Sequence, residues 1–392
     1  MYYQGSINVL IQKTNFPFET LIHDDASTDK TAAIIKDYEK INPNIRIKWI
    51  DVPFSEGEKR TLASILSNNP PDLVNLNPDF SSTLAHKGTL FEIPSESVKQ
   101  FNKEIISSLT YDGKIYSIPW YATSAITIYN KELINKSRVP VPVTYSKVAQ
   151  FAPIVKAQTG AFIMMPNLCE NDTMLKILNK YGVSSSEFLN SEKSIDVFDM
   201  FKYLYSMNFV PKETLTTTLQ EALEKYMSGN VALISAGANF LNMIKENAPS
   251  TYANTDVSEQ LKGELGQNDF SLMNFVIPLR AKHKQQALKF ALFLTNNENQ
   301  LKLAKLTNVL AVNEETLQNE FYTKYENGDL MGKARVISAK QLNKVQPVYK
   351  TQKNQKDINN IINSAVQEIL LDKESAKSIL DNTSKNWKSI EE

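Results

Sequence analysis

Three segments of the chain carry the side chains with most chemistry to offer. In Asp72-Leu-Val-Asn-Leu-Asn-Pro-Asp-Phe80, the polar Asn75, Asn77 and Asp79 sit at the carboxyl end of an apolar run, with Phe80 behind them. In open α/β sheets that end of a strand faces the ligand crevice. An ordinary Asn-Pro turn accounts for the same residues equally well. In the second segment, Tyr116 to Lys131, Trp120 and Tyr121 follow a proline and precede a β-branched run. Neighbours in a strand point to opposite faces, so one of the two rings is expected to line a cleft. The third segment, Val231 to Phe240, reads as a strand ending in Ala-Gly-Ala and then Asn239 and Phe240. Small residues there let a ligand approach the backbone closely. A pair of adjacent carboxylates, Asp24 and Asp25, follows a short apolar run near the start; a capping and ligand-loop role suits them better than acid catalysis.

No pattern of covalent or metal chemistry accompanies these groups. The chain has no GxSxG elbow, no Walker loop, no HExxH and no GxGxxG. One cysteine, Cys169, excludes a disulfide framework and a multi-Cys metal site, and reads as a half-buried structural thiol. His23, His86 and His283 lie far apart in sequence. The expectation is a protein with no catalytic residues, no metal and no cofactor.

Positioning these segments requires strands that alternate with helices. Glu19–His23 reads as a strand, and Ala32, Ile34, Ile35, Tyr38 and Ile41 recur at helical spacing until Asn42-Pro43. Strands are expected at 45–50 and 73–76, with a helix at 56–68 between them. Such units imply parallel strands joined by crossovers. From about Val141 to Asn268 helix dominates, including 197–207 and 219–227, with a strand at 231–235. A strand at 274–278 and helices at 285–294, 298–306, 357–371 and 374–387 follow; Lys350 to Lys356 reads as a solvated loop.

Composition narrows the function. The 392 residues hold 43 Lys and Arg against 43 Asp and Glu, a formal charge of zero. Nucleic-acid binders need a basic field to release phosphate counterions, so that class is not expected. No run of about 18 apolar residues exists to span a bilayer. Met1–Gln12 lacks a basic n-region and a cleavage site, and does not read as a signal peptide. Sixteen Tyr and eighteen Phe suit a surface for neutral polar ligands.

Taken in order, NPNIRIKWIDVPF (from Asn42), LASILSNNPPDLVNLNPDFSSTLAHKGTLFEIP (from Leu62), YDGKIYSIPWYATSAITIYNKEL (from Tyr111), EALEKYMSGNVALISAGANFL (from Glu221), AKHKQQALKFALFLTNNENQLKLAKLTNVLAVN (from Ala281) and SAKSILDNTSKNW resemble bacterial extracellular solute-binding proteins. The likeness is to the sugar-binding family 1, maltose-binding-protein type, and runs over about 42–392. Residues 7–40, INVLIQKTNFPFETLIHDDASTDKTAAIIKDYEK, instead resemble the start of a family-2 glycosyltransferase, although no Asp-x-Asp metal ligand occurs in the chain.

The main resemblance implies an α/β, two-lobed periplasmic-binding-protein-like fold of type II with a ligand cleft between lobes. Lobe one would take 18–118 plus 270–325 and lobe two 125–265 plus 330–392, with crossovers near Pro119–Thr123 and Leu265–Met273. Residues 1–17 would be an extra arm. The implied function is the substrate-binding component of an ABC importer, a monomer outside the cytoplasmic membrane. It would bind a sugar or oligosaccharide and deliver it to membrane permease subunits. Trp120, Tyr121 and Phe240, backed by Phe80, would stack on the ligand; Asn75, Asn77, Asp79, Asn239, Asp24 and Asp25 would pair its hydroxyls. The alternatives are a sugar-nucleotide-dependent glycosyltransferase, on the N-terminal resemblance alone, and the same fold serving as an adhesin or signalling co-receptor.

Overall fold

A computed structural model describes residues 5–12, 28–52, 57–342, 354–371 and 375–391. The chain enters with strand β1 (Gly5–Gln12). Helix α1 (Thr28–Ile41) stops before Asn42-Pro43, because a residue preceding proline is pushed out of the helical region. Its buried side includes Tyr38, whose ring lies 4.8 Å from Phe290 and 5.0 Å from Phe293. Strand β2 (Ile45–Val52) runs parallel to β1 along its whole length. Helix α2 (Gly57–Leu66) leads to β3 (Leu73–Leu76), which pairs in parallel with the other edge of β1. All four residues of β3 are buried, as expected of a strand covered on both faces. Helix α3 (Pro78–His86) and strand β4 (Ser117–Thr123) complete this stretch.

The middle of the chain builds a second sheet. Its strands are β5 (Ala125–Asn130), β6 (Phe162–Met164), β7 (Val231–Gly237) and β8 (Thr255–Ser258), in the order β8-β5-β7-β6. Between them run α4 (Tyr145–Thr159), α5 (Thr173–Asn179), α6 (Glu192–Ser206), α7 (Leu219–Met227) and α8 (Phe240–Asn247). Helix α7 begins in a capping box: Thr218 Oγ1 accepts the Glu221 N–H, and the Glu221 carboxylate accepts the Thr218 N–H at 2.7 Å. The chain then returns to the first sheet as β9 (Ser271–Val276), followed by α9 (Lys284–Leu294) and α10 (Asn297–Thr307). It ends in α11 (Leu330–Leu342), α12 (Gln355–Leu371) and α13 (Ala376–Glu391).

Two compact units result. Among the described residues, unit one takes those up to Thr123 together with Ser271–Thr323, and unit two takes Ser124–Phe270, 324–342 and the C-terminal helices. The unit-one sheet has the order β2-β1-β3-β9-β4. Part of its core is Ile65, Val74, Leu76, Leu84 and Val276. Unit two packs Val148, Phe198, Phe201, Ile362, Val366 and Trp387 into one apolar cluster. Each such side chain contributes on the order of 1.5–3 kcal/mol when fully buried.

Several expectations change. Residues 5–12 are a strand inside the sheet rather than part of an extra arm, because a parallel sheet centre demands an apolar, β-branched-rich segment and Ile7 to Ile11 supplies it. The strand expected at Glu19–His23 lies outside the described residues. The unit-one sheet is mixed, not purely parallel, since β9 comes back from unit two and pairs antiparallel with both β3 and β4. Of the expected loop Lys350 to Lys356, the first four residues lie outside the described ones. Gln355 instead opens α12, buried, with Nε2 donating to Asn359 Oδ1 at 3.0 Å.

Candidate functional site

The two sheets place the expected residues at strand ends. In unit one, β3 and β4 both run antiparallel to β9, so their carboxyl ends share one edge. Just beyond β3, Asn77 caps α3: its Oδ1 accepts the Phe80 N–H at 2.8 Å, and Pro78 occupies the first helical turn where its missing N–H costs nothing. Asp79 lies in the same turn, on the positive end of the helix. The Tyr111 hydroxyl donates to Pro78 O at 3.2 Å. Burial, with the Asp79 carboxylate adding to it, pushes that phenol far above its ordinary pKa. Phe80 packs, partly buried, on the unit-one core.

Asn75 is interior. Its Nδ2 donates to Asn274 O at 3.3 Å, Asn274 Nδ2 donates to Ser81 Oγ at 2.7 Å, and Ser81 Oγ donates to Asn77 O at 2.9 Å. This chain of bonds fixes the loop after β3 to β9. Asn274 and Ser81 escaped sequence reading because each sits in an apolar or helical pattern that hides it.

Trp120 and Tyr121 do not alternate as expected. The β4–β9 register slips between Met273 and Asn274, which face Tyr121 and Pro119, so Trp120 is the extra residue of a β-bulge. A bulge leaves one residue unpaired and re-aims its side chain. Both rings are consequently buried, at 5% and 3% exposure, in a cluster where Trp120 lies 5.0 Å from Tyr121 and 4.8 Å from Phe275. The side chain of Gln300, on α10, donates to the Trp120 carbonyl. Gln300 Oε1 accepts the Val312 N–H at 2.7 Å.

In unit two, β6 and β7 are parallel and β5 is antiparallel to β7, so the carboxyl ends of β6 and β7 meet the start of β5 along one edge. Asn239 follows β7 there as the first residue of the α8 turn. Its backbone is already helical (φ −59°, ψ −28°), so its side chain makes no cap hydrogen bond. It is 3% exposed, and neither its Oδ1 nor its Nδ2 has a hydrogen-bond partner. A buried polar group left unsatisfied costs about 1–3 kcal/mol, so such a group calls for an explanation. Phe240 beside it is buried.

The residue after β6, Met165, lines a cavity of about 300 Å³ together with Thr216, Thr217, Glu213, Glu221, Glu224 and Lys225. Its charges are engaged within the unit: Lys225 Nζ lies 3.7 Å from Glu213, and hydrogen bonds from Thr218 hold the Glu221 carboxyl below its ordinary pKa. Sequence reading saw only an amphipathic helix there. Asp24 and Asp25 lie outside the described residues. Burial pushes the Cys169 thiol up to about 11, against a smaller opposite effect of Gln367, so it is a poor nucleophile. Among the described residues no group of three or more His, Cys, Asp or Glu could hold a metal ion, and no helix is long and apolar enough to cross a membrane.

Two α/β units with polar strand ends, built from a chain that leaves one sheet and returns to it, define the two-lobed periplasmic-binding-protein fold of type II. An oligosaccharide periplasmic-binding protein, so designated, of Synechococcus sp. MITs9220 is similar with a TM-score of 0.87 at 24% identity, over 98% of this chain and 98% of that one. An ABC substrate-binding protein of Listeria monocytogenes in complex with cycloalternan is similar with a TM-score of 0.78 at 20% identity, over 99% of both chains. In sequence, a protein of Brucella abortus (strain 2308) designated a binding protein is 22% identical over 364 residues, covering 88% of this chain and 85% of its own. The chain belongs to the bacterial extracellular solute-binding proteins, whose family model matches residues 33–328. That family binds solutes and is not one of enzymes. The transferase-like reading of residues 7–40 finds no support in these matches, and β1 from that segment is part of the unit-one sheet.

Proposed function

We propose that this protein is the substrate-binding component of an ABC importer, that it takes a sugar or oligosaccharide, and that it hands it to a membrane permease. In this reading it works as a monomer outside the cytoplasmic membrane, in the cell envelope, periplasm or cell surface. The observation that carries the sugar is Asn239. A buried amide offers both donors and acceptors, and a sugar hydroxyl can answer either. Asn77 and Asp79 on unit one are further hydroxyl partners. Trp120, Tyr121 and Phe240 are the stacking groups, since the C–H face of a sugar ring packs on aromatic rings. Phe80 and Asn75 hold that loop in place. The whole-chain likeness to proteins whose names refer to oligosaccharide or cycloalternan supports the same ligand class.

The test is calorimetry of the purified chain against a panel of oligosaccharides, with Asn239→Ala alongside. At least one sugar should bind the wild-type chain, and Asn239→Ala should lose about tenfold in affinity or more, near 1.4 kcal/mol. Because the substitution removes an unsatisfied buried group, the melting temperature of the sugar-free protein should hold or rise. A panel without a binder, or equal affinity in the variant, would overturn the reading.

A further inference from the structure

Among the described residues the chain passes between the units three times, at Thr123/Ser124, Phe270/Ser271 and Thr323/Lys324. Inside unit two a single buried hydroxyl touches all three stretches. Ser124, the first residue after the first crossing, is 1% exposed. Its Oγ accepts from Gln260 Nε2 at 3.3 Å and from Gln341 Nε2 at 3.0 Å, and it faces Asp269 O, just before the second crossing, at 3.4 Å. Gln341 lies near the end of α11, the helix that follows the third crossing.

The surrounding bonds close on themselves. Gln341 Oε1 accepts the Gln260 N–H at 2.7 Å, and Gln341 Nε2 also donates to Ala125 O at 2.9 Å. Gln260 Oε1 accepts the Asp269 N–H at 3.1 Å, while Gln260 Nε2 donates to Asp269 O at 3.2 Å. Lys180 Nζ reaches Gln260 Oε1 at 2.6 Å, Leu261 O at 2.9 Å and the Asp269 carboxylate at 3.1 Å. An ammonium has three donors, and each has an acceptor. A buried polar network that satisfies its members in this way specifies one arrangement, and disturbing any member leaves others unpaired.

We infer that Ser124, Gln260 and Gln341 form a node that makes the unit-two ends of the three crossings one mechanical piece. A displacement at any one crossing is then passed to the other two through side chains rather than through the sheet. The three are positioning residues: their effect on any solute bound by the protein acts through the crossing segments.

Two backbone amides report on the node. The N–H groups of Gln260 and Asp269 donate to side chains of the network, and neither donates to Ser124. The experiment is residue-resolved hydrogen exchange on the full chain without ligand, comparing wild type with Ser124→Ala and, as a second lesion, Gln341→Leu. In Ser124→Ala, exchange at both reporters should rise together by about fivefold or more, along with amides late in α11, while α12 keeps its protection. Gln341→Leu should add acceleration at Ala125–Thr127. Unchanged reporters in Ser124→Ala would overturn the node. So would acceleration spread evenly across unit two, α12 included, because the network would then be ordinary core. The readout needs no sugar, so it stands apart from the ligand assignment.

Discussion

Lys180 shows how much one residue can be asked to hold. Its side chain is 3% exposed and its partner Asp269 carboxylate 13%, so the ion pair is largely desolvated. Removing one partner of a buried pair strands the other, which typically costs about 3–5 kcal/mol. Lys180→Met should therefore lower unfolding stability in urea by about that amount, and Asp269→Asn in the same chain should recover part of it. An unchanged midpoint would mean that the carboxylate is hydrated well enough to stand alone. At this scale the sequence was informative where chemistry and position coincide in one short run. Asn239 stood out because three small residues precede it. Trp120 and Tyr121 stood out as a pair, but their burial did not, because the bulge that re-aims Trp120 is defined by Met273 and Asn274, about 150 residues further on. Gln260, Gln341 and Ser124 carry no mark of their burial in the sequence, since nothing local distinguishes a buried glutamine from an exposed one.

Among the elements, α11 is tied to β8 and β5 by a carboxylate. Lys333 Nζ donates to Asp256 Oδ1 at 2.6 Å, and the Tyr129 hydroxyl donates to Asp256 Oδ2 at 3.2 Å. Burial alone would raise the Asp256 pKa, but the hydrogen bond and charge of Lys333, with the Val257 N–H, outweigh it and hold the carboxyl below its ordinary value. The folded pKa is depressed, so the stabilisation is fully present above the ordinary Asp pKa and is lost as the pH falls through the lower folded value. Asp256→Asn should flatten the acid limb of a stability-versus-pH curve measured by chemical denaturation, leaving the neutral region lower but less pH-dependent. The same phenol is pushed up to about 12 by burial and by Asp256, so Tyr129 stays protonated throughout. Helices and strands with strong local signals were legible: 219–227 and 73–76 have the expected limits. Strand β1 was not legible, because what makes Gly5–Gln12 a sheet strand is its pairing with β2 and β3, which come later in the sequence.

For the whole molecule, charge balance is the property most open to measurement. With equal numbers of acidic and basic residues and a neutral solute, binding gains little from long-range fields. For the sugar proposed as ligand, the dissociation constant should change by less than roughly twofold between about 0.05 and about 0.5 M NaCl, since screening acts on charges. A steep salt dependence in calorimetry would point to a charged ligand. The expectation of a discontinuous division rested on the resemblance to solute-binding proteins, since the strand and helix pattern by itself says only that a helix-rich middle interrupts the alternation. The antiparallel return of β9 was not, because strand direction within a sheet depends on pairing with segments far away in sequence.

That return sets an order of assembly during synthesis. Every strand of the unit-two sheet has left the ribosome once Ser258 emerges. Strand β4 must wait longer: its sheet partner is β9, and the bridge from Ala122 goes to Leu310. Until Val276 emerges in turn, the Trp120–Tyr121 segment has no sheet partner to pair with, although β2, β1 and β3 of the unit-one sheet are already available. The later-translated unit thus has all its sheet strands available first, and the sheet of the earlier one receives its missing strand from behind it.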